Sequence, residues 1–443
     1  MTIIKNLSIQ KLVFQGYGLG FDNNNTYFVQ NALPGDVLDV EVLYTKSKSY
    51  FCQIIKILKS SPLRKNIRCS IGKLCGACDW VNIDYNQQLA FKNMFIKDLF
   101  TPLQQSISLP QIIPSPVIDY YRNKSLLPVQ IENNKPIIGM YAKQSHNVIE
   151  HTKCFLHPEI FNQIIQDIKE WIILSKVKIY DEQTLTGNLR HIGFRCSFDQ
   201  QSIIIILVTK TTKLPFTKQL IHLLTNKYKQ IKGIIQNINK LHTNTILGES
   251  DKILFGQDFY LEHLEALNYK INYKAFFQVN IPQAINIYNH IKKNISNDPV
   301  VLDAYSGTGS IGLFIASQAK KVVFVESNTQ AHQSAIENAY INNINNIEFR
   351  NAEVNNVIDN ITQENLFNTV IFDPPRKGLE PETIELISKK NIPQIIYLSC
   401  NPSTQIRDVN LFIKHHYKIK EISAFDMFPH TFHIESLIIL EKT

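Results

Sequence analysis

From residue 280 onward, apolar runs alternate regularly with amphipathic stretches, and this order limits the fold more than any other feature of the chain. Short β-branched runs predict strands at 300–304, 322–326, 347–349, 369–372 and 394–399. The first two are followed by predicted helices at 310–318 and 329–342, and a pair of strands at 419–425 and 436–440 closes the chain. Strands that alternate with helices predict an α/β, Rossmann-like doubly wound sheet with one antiparallel edge.

A glycine turn follows the first of these strands and leads into a helix. Asp303 lies at the end of the strand, and Gly307 and Gly309 let the backbone approach a ligand closely. The next strand ends at Glu326, at about the interval where an acidic side chain binds ribose hydroxyls. Gly312 is displaced by one position from the third glycine of a dinucleotide fingerprint. The turn therefore favours an adenosylmethionine pocket over a dinucleotide pocket.

Two later strand ends carry groups suited to chemistry. Asp373 precedes two prolines, which stiffen the loop and remove backbone donors, while the carboxylate can bind a cofactor or a base. Enzymes that methylate amino groups usually have an aromatic residue next, whereas Arg376 stands here and indicates a different target. Cys400 follows the strand 394–399, where open α/β sheets place their chemistry. A lone cysteine is more often inert, so its role depends on the neighbouring motifs.

The 443 residues exceed what one hydrophobic core usually supports, and we predict three domains, at 1–59, 60–270 and 271–443. The first has short alternating stretches interrupted by glycines and by the asparagines 23–25, which predicts a five-stranded, OB-like β-barrel. Its lysines and aromatic residues suit either a solvated face or single-stranded nucleic acid. The second domain mixes strands and helices, including a long polar helix at 84–99.

Four cysteines of the second domain have a spacing typical of a metal centre. They are Cys69, Cys75, Cys78 and Cys154. By number alone, four thiolates suit a [4Fe-4S] cluster and a tetrahedral zinc ion equally well. The C-x-x-x-C-x-x-C triad of radical adenosylmethionine enzymes is absent from the sequence. Cys52 and Cys196 have no partner in this pattern, and we interpret them as core or surface thiols.

Charge and hydropathy limit the partners. Lys and Arg outnumber Asp and Glu by 46 to 38, which fits nucleic acid but also suits many enzymes. The longest apolar run, 203–208, is too short to span a bilayer, and the N-terminus has no cleavable apolar segment. We therefore expect a cytoplasmic protein with no membrane partner. We also expect a monomer. Arg190, His191 and Arg195 suit phosphate contact or the exposed face of a strand equally well.

Four short motifs closely resemble those of the RNA 5-methyluridine methyltransferases. They lie, in the same order, at 276–280, 373–378, 399–402 and 428–436. The resemblance extends over the whole chain, because the predicted barrel resembles a TRAM domain and the four cysteines resemble the iron–sulfur site of the branch acting on 23S ribosomal RNA. It implies methyl transfer from S-adenosylmethionine to carbon 5 of a uridine in that RNA, with a [4Fe-4S] cluster as second cofactor.

The same resemblance implies a role for each site residue. Cys400 would be the nucleophile and Glu435 the base. S-adenosylmethionine would be bound by Gln278, Tyr305, Glu326, Glu353 and Asp373. Ser310 stands where some members have Asn, and Glu353 where some have Asn or Asp. For Glu435, the alternative interpretation is a structural carboxylate bonded to a nearby histidine.

The chemistry explains why a thiol and a base are needed. Carbon 5 of uracil is a poor nucleophile, but addition of a thiolate at carbon 6 creates an enolate whose carbon 5 accepts a methyl group. A base then removes the hydrogen from carbon 5. Because these atoms lie inside a base stack, the uridine has to be flipped out or already unpaired.

Two alternative functions remain at this point. One is the same reaction on transfer RNA, which we consider less favoured because that branch is expected to lack the barrel and the cluster. The other is a noncatalytic RNA-binding assembly factor, against which the intact Cys400 and Glu435 argue.

Overall fold

The computed structural model describes residues 2–22, 25–103, 109–143 and 145–443. Asn23 and Asn24, which belong to a predicted turn of the barrel, lie outside the described residues. In the part of the chain that is described, no helix is long and apolar enough to cross a membrane.

The N-terminal barrel consists of β1 (Ile3–Leu12), β2 (Gly18–Asp22), β3 (Asn25–Val29), β4 (Val37–Lys46) and β5 (Ser49–Lys59). The strands close in the order β1-β2-β3-β5-β4, which confirms the predicted five-stranded barrel. Alternating side chains point inward, so that Leu7, Leu38 and Cys52 share a small core. Gly20 is needed for this packing, since a Cβ there would lie 2.9 Å from the Leu7 side chain.

A helix and a short strand link the barrel to the C-terminal sheet. They are α1 (Tyr85–Phe100) and β6 (Ile112–Ile113). The carboxylate of Asp84 accepts a hydrogen bond from the Asn86 N–H and caps α1 where the sequence predicts its start. Phe91, Phe95 and Phe100 of α1 belong to the same hydrophobic core as the C-terminal sheet, and β6 pairs with that sheet. These residues therefore pack with the catalytic part of the chain.

The middle of the chain forms a seven-stranded sheet, a hairpin and two helices. In chain order these are β7 (Lys124–Glu132), β8 (Lys135–Tyr141), β9 (Val148–Glu150), α2 (Glu159–Ser175), β10 (Leu189–Cys196), β11 (Ile203–Thr209), α3 (Thr217–Lys227), β12 (Ile231–Ile238), β13 (Ser250–Gly256), β14 (Phe259–Leu264) and β15 (Leu267–Asn272). The strand order of the sheet is β13-β12-β11-β10-β7-β8-β9, and β14 pairs with β15.

The basic run in β10 corrects an expectation from the sequence. Arg190, His191 and Arg195 do not lie on an exposed face, because every residue of this strand is buried. Arg190 Nη1 donates to the carbonyl of Asn239 at 2.9 Å, and Arg195 Nε donates to the carbonyl of Tyr273 at 3.2 Å. These guanidinium groups hold backbone segments inside the fold. Cys196 is likewise a buried core thiol.

The C-terminal part forms an eight-stranded sheet with helices on both faces. Its elements are α4 (Ile281–Asn294), β16 (Val300–Ala304), α5 (Ser310–Ile315), β17 (Lys321–Val325), α6 (Thr329–Ile341), β18 (Ile347–Arg350), α7 (Val354–Glu364), β19 (Thr369–Phe372), α8 (Pro381–Lys389), β20 (Gln394–Ser399), α9 (Pro402–Lys414), β21 (Tyr417–Phe425) and β22 (Glu435–Lys442). The order is β18-β17-β16-β19-β20-β22-β21-β6.

This sheet confirms the predicted doubly wound fold. Strands β16 to β20 pair in parallel, and β22 and β21 form the predicted antiparallel edge. The predicted helix at 310–318 is shorter than expected, because α5 ends at Ile315 and continues as a 3₁₀ turn over Ala316–Gln318. One core, which includes Phe95 and Ile384, lies on one face of the sheet. A second core, which includes Ile287 and Phe314, lies on the other.

Candidate active site

Neighbouring strand ends bring the predicted site residues to one edge of the C-terminal sheet. Glu326 directly follows β17, Asp373 directly follows β19 and Cys400 directly follows β20. Because these strands are parallel, their carboxyl ends meet at the same edge. Glu435 begins β22, which pairs antiparallel with β20, so this carboxyl group lies near Cys400. The sheet order thus assembles one site from residues far apart in the sequence.

The glycine turn leaves open space for a ligand. Tyr305, Gly307 and Gly309 have positive φ angles of 65°, 55° and 78°. A Cβ added at Gly307 would meet no atom within 4 Å. Below the turn, the carboxylate of Asp303 accepts the N–H of Gly312 at 2.9 Å, and burial raises the pKa of Asp303 to about 8. Asp303 therefore ties the start of α5 to the sheet, while Gly307 faces the space above.

Glu326 is held by two backbone donors. Its Oε2 accepts the N–H of Gly307 at 2.8 Å, and its Oε1 accepts the N–H of Asn328 at 2.7 Å. A carboxylate can accept about four hydrogen bonds, so both oxygens retain acceptor capacity for a ligand beside the glycine turn. The geometry suits the pair of hydroxyl groups of a ribose.

The remaining predicted cofactor contacts lie around this turn and before α4. Tyr305 is half-buried, and burial raises its pKa, with Glu353 and Glu380 adding to the rise. Glu353 is exposed at the start of α7. Gln278 is half-buried, and its carbonyl accepts a hydrogen bond from Asn123 Nδ2 at 3.0 Å. Tyr305 thus lies within electrostatic reach of Glu353, while Gln278 is held separately.

Cys400, Glu435, Asp373 and Arg376 form one charged cluster. Burial raises the pKa of the Cys400 thiol to about 11; Glu435 adds to this rise and Arg376 opposes it. Burial also raises the pKa of Glu435 well above its usual range, with Asp373 adding and Arg376 opposing. The pKa of Asp373 is raised by burial as well. Glu435 is 3% exposed, so the site holds a desolvated carboxyl group beside a thiol.

Asp408 was missed by the sequence analysis, although it fixes the loop that carries Arg376. This buried carboxylate accepts the N–H of Leu379 at 2.8 Å and the hydroxyl of Tyr397 at 2.7 Å. Next to Cys400, Asn401 Nδ2 donates to the carbonyl of Arg376 at 3.0 Å. Asp408 could have been found from its position among the buried residues of α9, because a buried carboxylate needs hydrogen-bond partners.

A cleft of about 920 Å³ opens above Cys400. Its walls come from the barrel, the cysteine-rich loop, the middle sheet and the catalytic loops; they include Tyr17, Asn31, Gly76, Arg122, Lys143, Arg376, Phe432 and His433. Lys143 joins three of these regions, because its Nζ donates to Asn31 Oδ1 at 2.6 Å and to Asp79 Oδ1 at 3.1 Å. The cleft is large enough for an extended polymer segment and reaches the thiol.

The four predicted metal ligands line a second, small and apolar cavity. They are Cys69, Cys75, Cys78 and Cys154. Burial raises the pKa of Cys75 to about 11 and also raises that of Cys78 and Cys154, with neighbouring cysteines contributing. The N–H of Ala77 lies 3.4 Å from Cys75 Sγ, and the N–H of Leu156 lies 3.5 Å from Cys154 Sγ. Such donors stabilise thiolates bound to a metal centre.

A second combination of ligand atoms overlaps this cavity. Among the described residues, His151, Cys154 and His157 form the one group of three potential ligands whose atoms all lie within 4.8 Å of one another. His157 is already engaged through both ring nitrogens, to Ser125 Oγ and to Asn162 Oδ1, each at 3.0 Å. Neither histidine belongs to the cysteine pattern of the sequence, and the hydrogen bonds of His157 make it a poor ligand.

The Rossmann-like sheet, the open glycine turn and the acidic residue after β17 define an S-adenosylmethionine-dependent methyltransferase. A family model described as tRNA (uracil-5-)-methyltransferase matches residues 84–443, and the chain belongs to this family. The protein is therefore an S-adenosylmethionine-dependent RNA uracil-5-methyltransferase. The match begins at the residue that caps α1, which packs with the catalytic sheet.

Individual relatives resemble the chain over nearly its whole length. An RNA methyltransferase of Clostridium tetani is 36% identical over 98% of this chain and 95% of its own. One of Fusobacterium nucleatum is 35% identical over 99% and 96%. The crystal structure of Pyrococcus abyssi tRNA (uracil-54, C5)-methyltransferase in complex with S-adenosyl-L-homocysteine superposes with a TM-score of 0.82, at 28% identity, and covers 98% of this chain and 99% of that one.

Proposed function

We propose that this protein methylates carbon 5 of a uridine in 23S ribosomal RNA, with Cys400 as nucleophile and Glu435 as base. The observation that carries this proposal is the cluster of a thiol, a desolvated carboxyl group and a guanidinium group at the edge of the sheet that holds the glycine turn. The cleft above Cys400 gives an RNA segment access to the thiol.

The cofactor pocket in this proposal is the open space at the glycine turn. Glu326 would bind the ribose hydroxyls, because two backbone N–H groups already orient its carboxylate. Tyr305 directly follows β16 and Glu353 precedes α7; both would contact the nucleoside, with Gln278 and Asp373 completing the pocket. Bound S-adenosylmethionine supplies an electrophilic methyl group.

Cys400 would act as a thiolate, and Arg376 is the group that favours this form. The thiol proton leaves to the solvent of the cleft, and the guanidinium group opposes the rise in pKa caused by burial. The thiolate would add to carbon 6 of the uracil ring and move electron density to carbon 5, which would then take the methyl group and leave S-adenosylhomocysteine as the product of the cofactor. Asp408 would support this step indirectly, since it fixes the loop of Arg376.

Glu435 is suited to the second half of the reaction. A carboxyl group whose pKa is raised by burial is a stronger base than one in water. Its carboxylate would take the proton from carbon 5, so that the bond between Cys400 and carbon 6 breaks and the methylated base is released. The protonated carboxyl group then returns its proton to solvent, which balances the reaction.

The barrel offers a stacking surface that leads into the cleft. The rings of Tyr44 and Phe51 stack with their centroids 4.6 Å apart, and the rings of Phe51 and Phe28 stack with their centroids 5.0 Å apart. Tyr17 contacts Phe51 edge-on at 5.8 Å and also lines the cleft. Tyr44 is 50% exposed. Because unpaired bases stack on aromatic side chains, we propose that single-stranded RNA follows this surface towards Cys400.

For the cysteine cavity we propose a [4Fe-4S] cluster bound by Cys69, Cys75, Cys78 and Cys154. By number, four thiolates suit a zinc ion and a [4Fe-4S] cluster equally well. The choice of the cluster rests on the sequence resemblance, and the apolar lining of the cavity is compatible with it. Protein purified without oxygen should be brown and contain iron and acid-labile sulfide; colourless active protein with zinc would contradict the assignment.

The choice of 23S ribosomal RNA rests on the sequence resemblance, and transfer RNA is a second candidate. The Pyrococcus abyssi enzyme, whose name specifies tRNA uracil 54, covers 98% of this chain, the barrel region included. The barrel therefore does not distinguish the two substrates. Its presence is no argument against transfer RNA. We propose that the protein acts as a monomer, since one chain supplies all walls of the cleft.

The test is in vitro methylation of RNA from a strain that lacks this protein. Purified 23S ribosomal RNA and transfer RNA would be incubated separately with S-adenosylmethionine that carries a labelled methyl group. We expect label as 5-methyluridine in 23S ribosomal RNA and none with the Cys400→Ala protein. Label in transfer RNA alone would move the target to the second candidate. Binding of either RNA without any label would favour a noncatalytic assembly factor.

A further inference from the structure

We infer that His430 couples the four-cysteine site to the loop that carries Glu435, so that loading of the cysteine site holds the catalytic base in position. This inference rests on the proposed function for the cluster and for Glu435. His430 would be a positioning residue, because it acts on the reaction only through the loop 428–434 that precedes Glu435.

The first link runs through the backbone of His430. Its carbonyl accepts two hydrogen bonds, from the N–H groups of Asp79 and Trp80, each at 3.0 Å. Asp79 directly follows Cys78 in the sequence. His430 has a φ of 67°, a left-handed conformation that is uncommon for residues other than glycine. Two hydrogen bonds thus join the segment that follows Cys78 to the loop 428–434, at the residue of that loop with a left-handed backbone.

The second link runs through the imidazole ring. His430 Nε2 lies 3.1 Å from Asp119 Oδ1, and the same oxygen accepts a hydrogen bond from Arg68 Nη2 at 2.6 Å. Arg68 directly precedes Cys69. Asp79, which follows the third cysteine, therefore contacts the carbonyl of His430 directly, and Arg68, which precedes the first, reaches the ring only through Asp119. His430 itself lines the cysteine cavity.

Gln88 of α1 fixes the orientation of this histidine. Its Oε1 accepts the backbone N–H of His430 at 2.9 Å, and its Nε2 lies 3.2 Å from His430 Nδ1. The same amide donates to the carbonyls of Trp80 and Ile83. Nε2 carries a proton and donates to Asp119, because the Asp119 carboxylate, whose pKa is lowered, can only accept.

Further contacts hold the neighbouring residues of the same loop. Tyr121 donates its hydroxyl to the carbonyl of Pro429 at 3.1 Å, and Lys92 donates to that of Phe428 at 3.2 Å. Downstream, Phe432 and His433 line the cleft together with Cys400. A shift at residue 430 therefore displaces both the cleft wall and the start of β22, where Glu435 lies.

Loading of the cysteine site would order the loop 69–78, since ligand binding stabilises the conformation that binds. The coupling must act in both directions, because two linked equilibria affect each other equally. Loss of the cluster should displace Glu435, and loss of the His430 contacts should loosen the cluster. The second effect can be measured without any catalytic activity.

The test compares holoprotein variants purified without oxygen. His430→Asn removes the ring contacts but keeps a residue that tolerates a left-handed backbone. Asp119→Leu breaks the same link without a change in the catalytic loop. His416→Gln is the matched control, since His416 also has a positive φ, of 64°, but lies at the exposed end of α9. The two readouts are the rate at which a chelator bleaches the cluster and the fraction of RNA trapped as a covalent complex during turnover.

Both link variants should lose the cluster at least about 5-fold faster, as expected of a coupling between sites. They should accumulate the methylated covalent complex with an unchanged dissociation constant for S-adenosylmethionine, because proton removal follows both cofactor binding and methyl transfer. The control should match the wild type in both readouts. A loaded, active wild type whose link variants bleach at the same rate and trap no complex would overturn this inference alone. Wild-type protein without iron and sulfide would contradict the proposed cluster and this inference with it.

Discussion

Cys400 and the four-cysteine cavity are two thiol sites in one chain, and they differ in the charges around them. Burial raises the pKa of Cys400 and of Cys75 to about 11 in each case. Beside Cys400 stand Arg376, which favours the thiolate, and the carboxyl group of Glu435. Beside Cys75 stand other cysteines, which disfavour the thiolate, and Lys143, which favours it. Similar pKa values thus leave one site suited to a nucleophile and the other to several thiolates whose charge a metal centre neutralises.

The two sites also differ in access. The cleft over Cys400 is open and has both polar and aromatic walls, whereas the cysteine cavity is small and apolar. A substrate polymer can enter the first, while the second excludes water from whatever it holds. The comparison predicts that substitutions at the two sites have separable consequences.

The largest expected effect separates the two sites by cysteine substitution. Cys400→Ala should abolish methylation, because no adduct forms at carbon 6, while iron content and RNA binding stay unchanged. Cys78→Ser should remove iron and lower the folding yield, since metal binding is coupled to folding. Labelled methyl transfer and iron analysis of both proteins check this. Loss of iron from the Cys400→Ala protein would contradict the prediction that the two thiol sites have separate functions.

Replacement of Arg376 should have the next largest effect. Arg376→Met removes the charge that lowers the pKa of Cys400, so less thiolate is present at neutral pH. We expect the rate of Cys400 alkylation by iodoacetamide to fall at neutral pH and its pH profile to move to higher pH. A roughly 10-fold or larger fall in kcat should accompany it. Lys377→Met, a neighbouring exposed cation, is the control and should leave the alkylation profile where it is.

A smaller effect is expected at the cofactor turn. Glu326→Ala should weaken S-adenosylmethionine binding by roughly 1.5 to 3 kcal/mol, the range of hydrogen bonds to charged groups. Calorimetry with the isolated cofactor measures this directly. The cysteine cavity should be unaffected, and unchanged affinity would remove Glu326 from the pocket.

The smallest effect concerns stability. The pKa of Glu435 is higher in the folded chain than in the unfolded one, so ionisation favours unfolding as pH rises above about 4.3, the usual value for Glu. Glu435→Gln cannot ionise and should therefore melt at a higher temperature than the wild type at pH 7. The difference should shrink as pH falls towards 4. Equal melting temperatures at neutral pH would mean that burial does not raise the pKa of Glu435.

Local patterns were enough to predict the sheet, the barrel and the placement of Cys400, because strand period and turn residues act within short segments. Contacts over long sequence separations were not predictable. The sequence around Arg195 is compatible with an exposed strand face. In the structure, however, this side chain is buried and donates hydrogen bonds to the carbonyls of Tyr273 and Ala275, about 80 positions away. The contact between Gln88 and His430 spans 342 positions. Burial of a polar group depends on such partners, and a single sequence does not reveal them.

The most direct test of the covalent mechanism uses Glu435→Gln protein with RNA substrate on a denaturing gel. This variant keeps the nucleophile and permits methyl transfer but cannot remove the carbon-5 proton. The account predicts a shifted protein–RNA band that requires S-adenosylmethionine, carries the methyl label and disappears in the double variant with Cys400→Ala. Normal turnover by Glu435→Gln, or a band that survives the loss of Cys400, would contradict the roles assigned to these two residues.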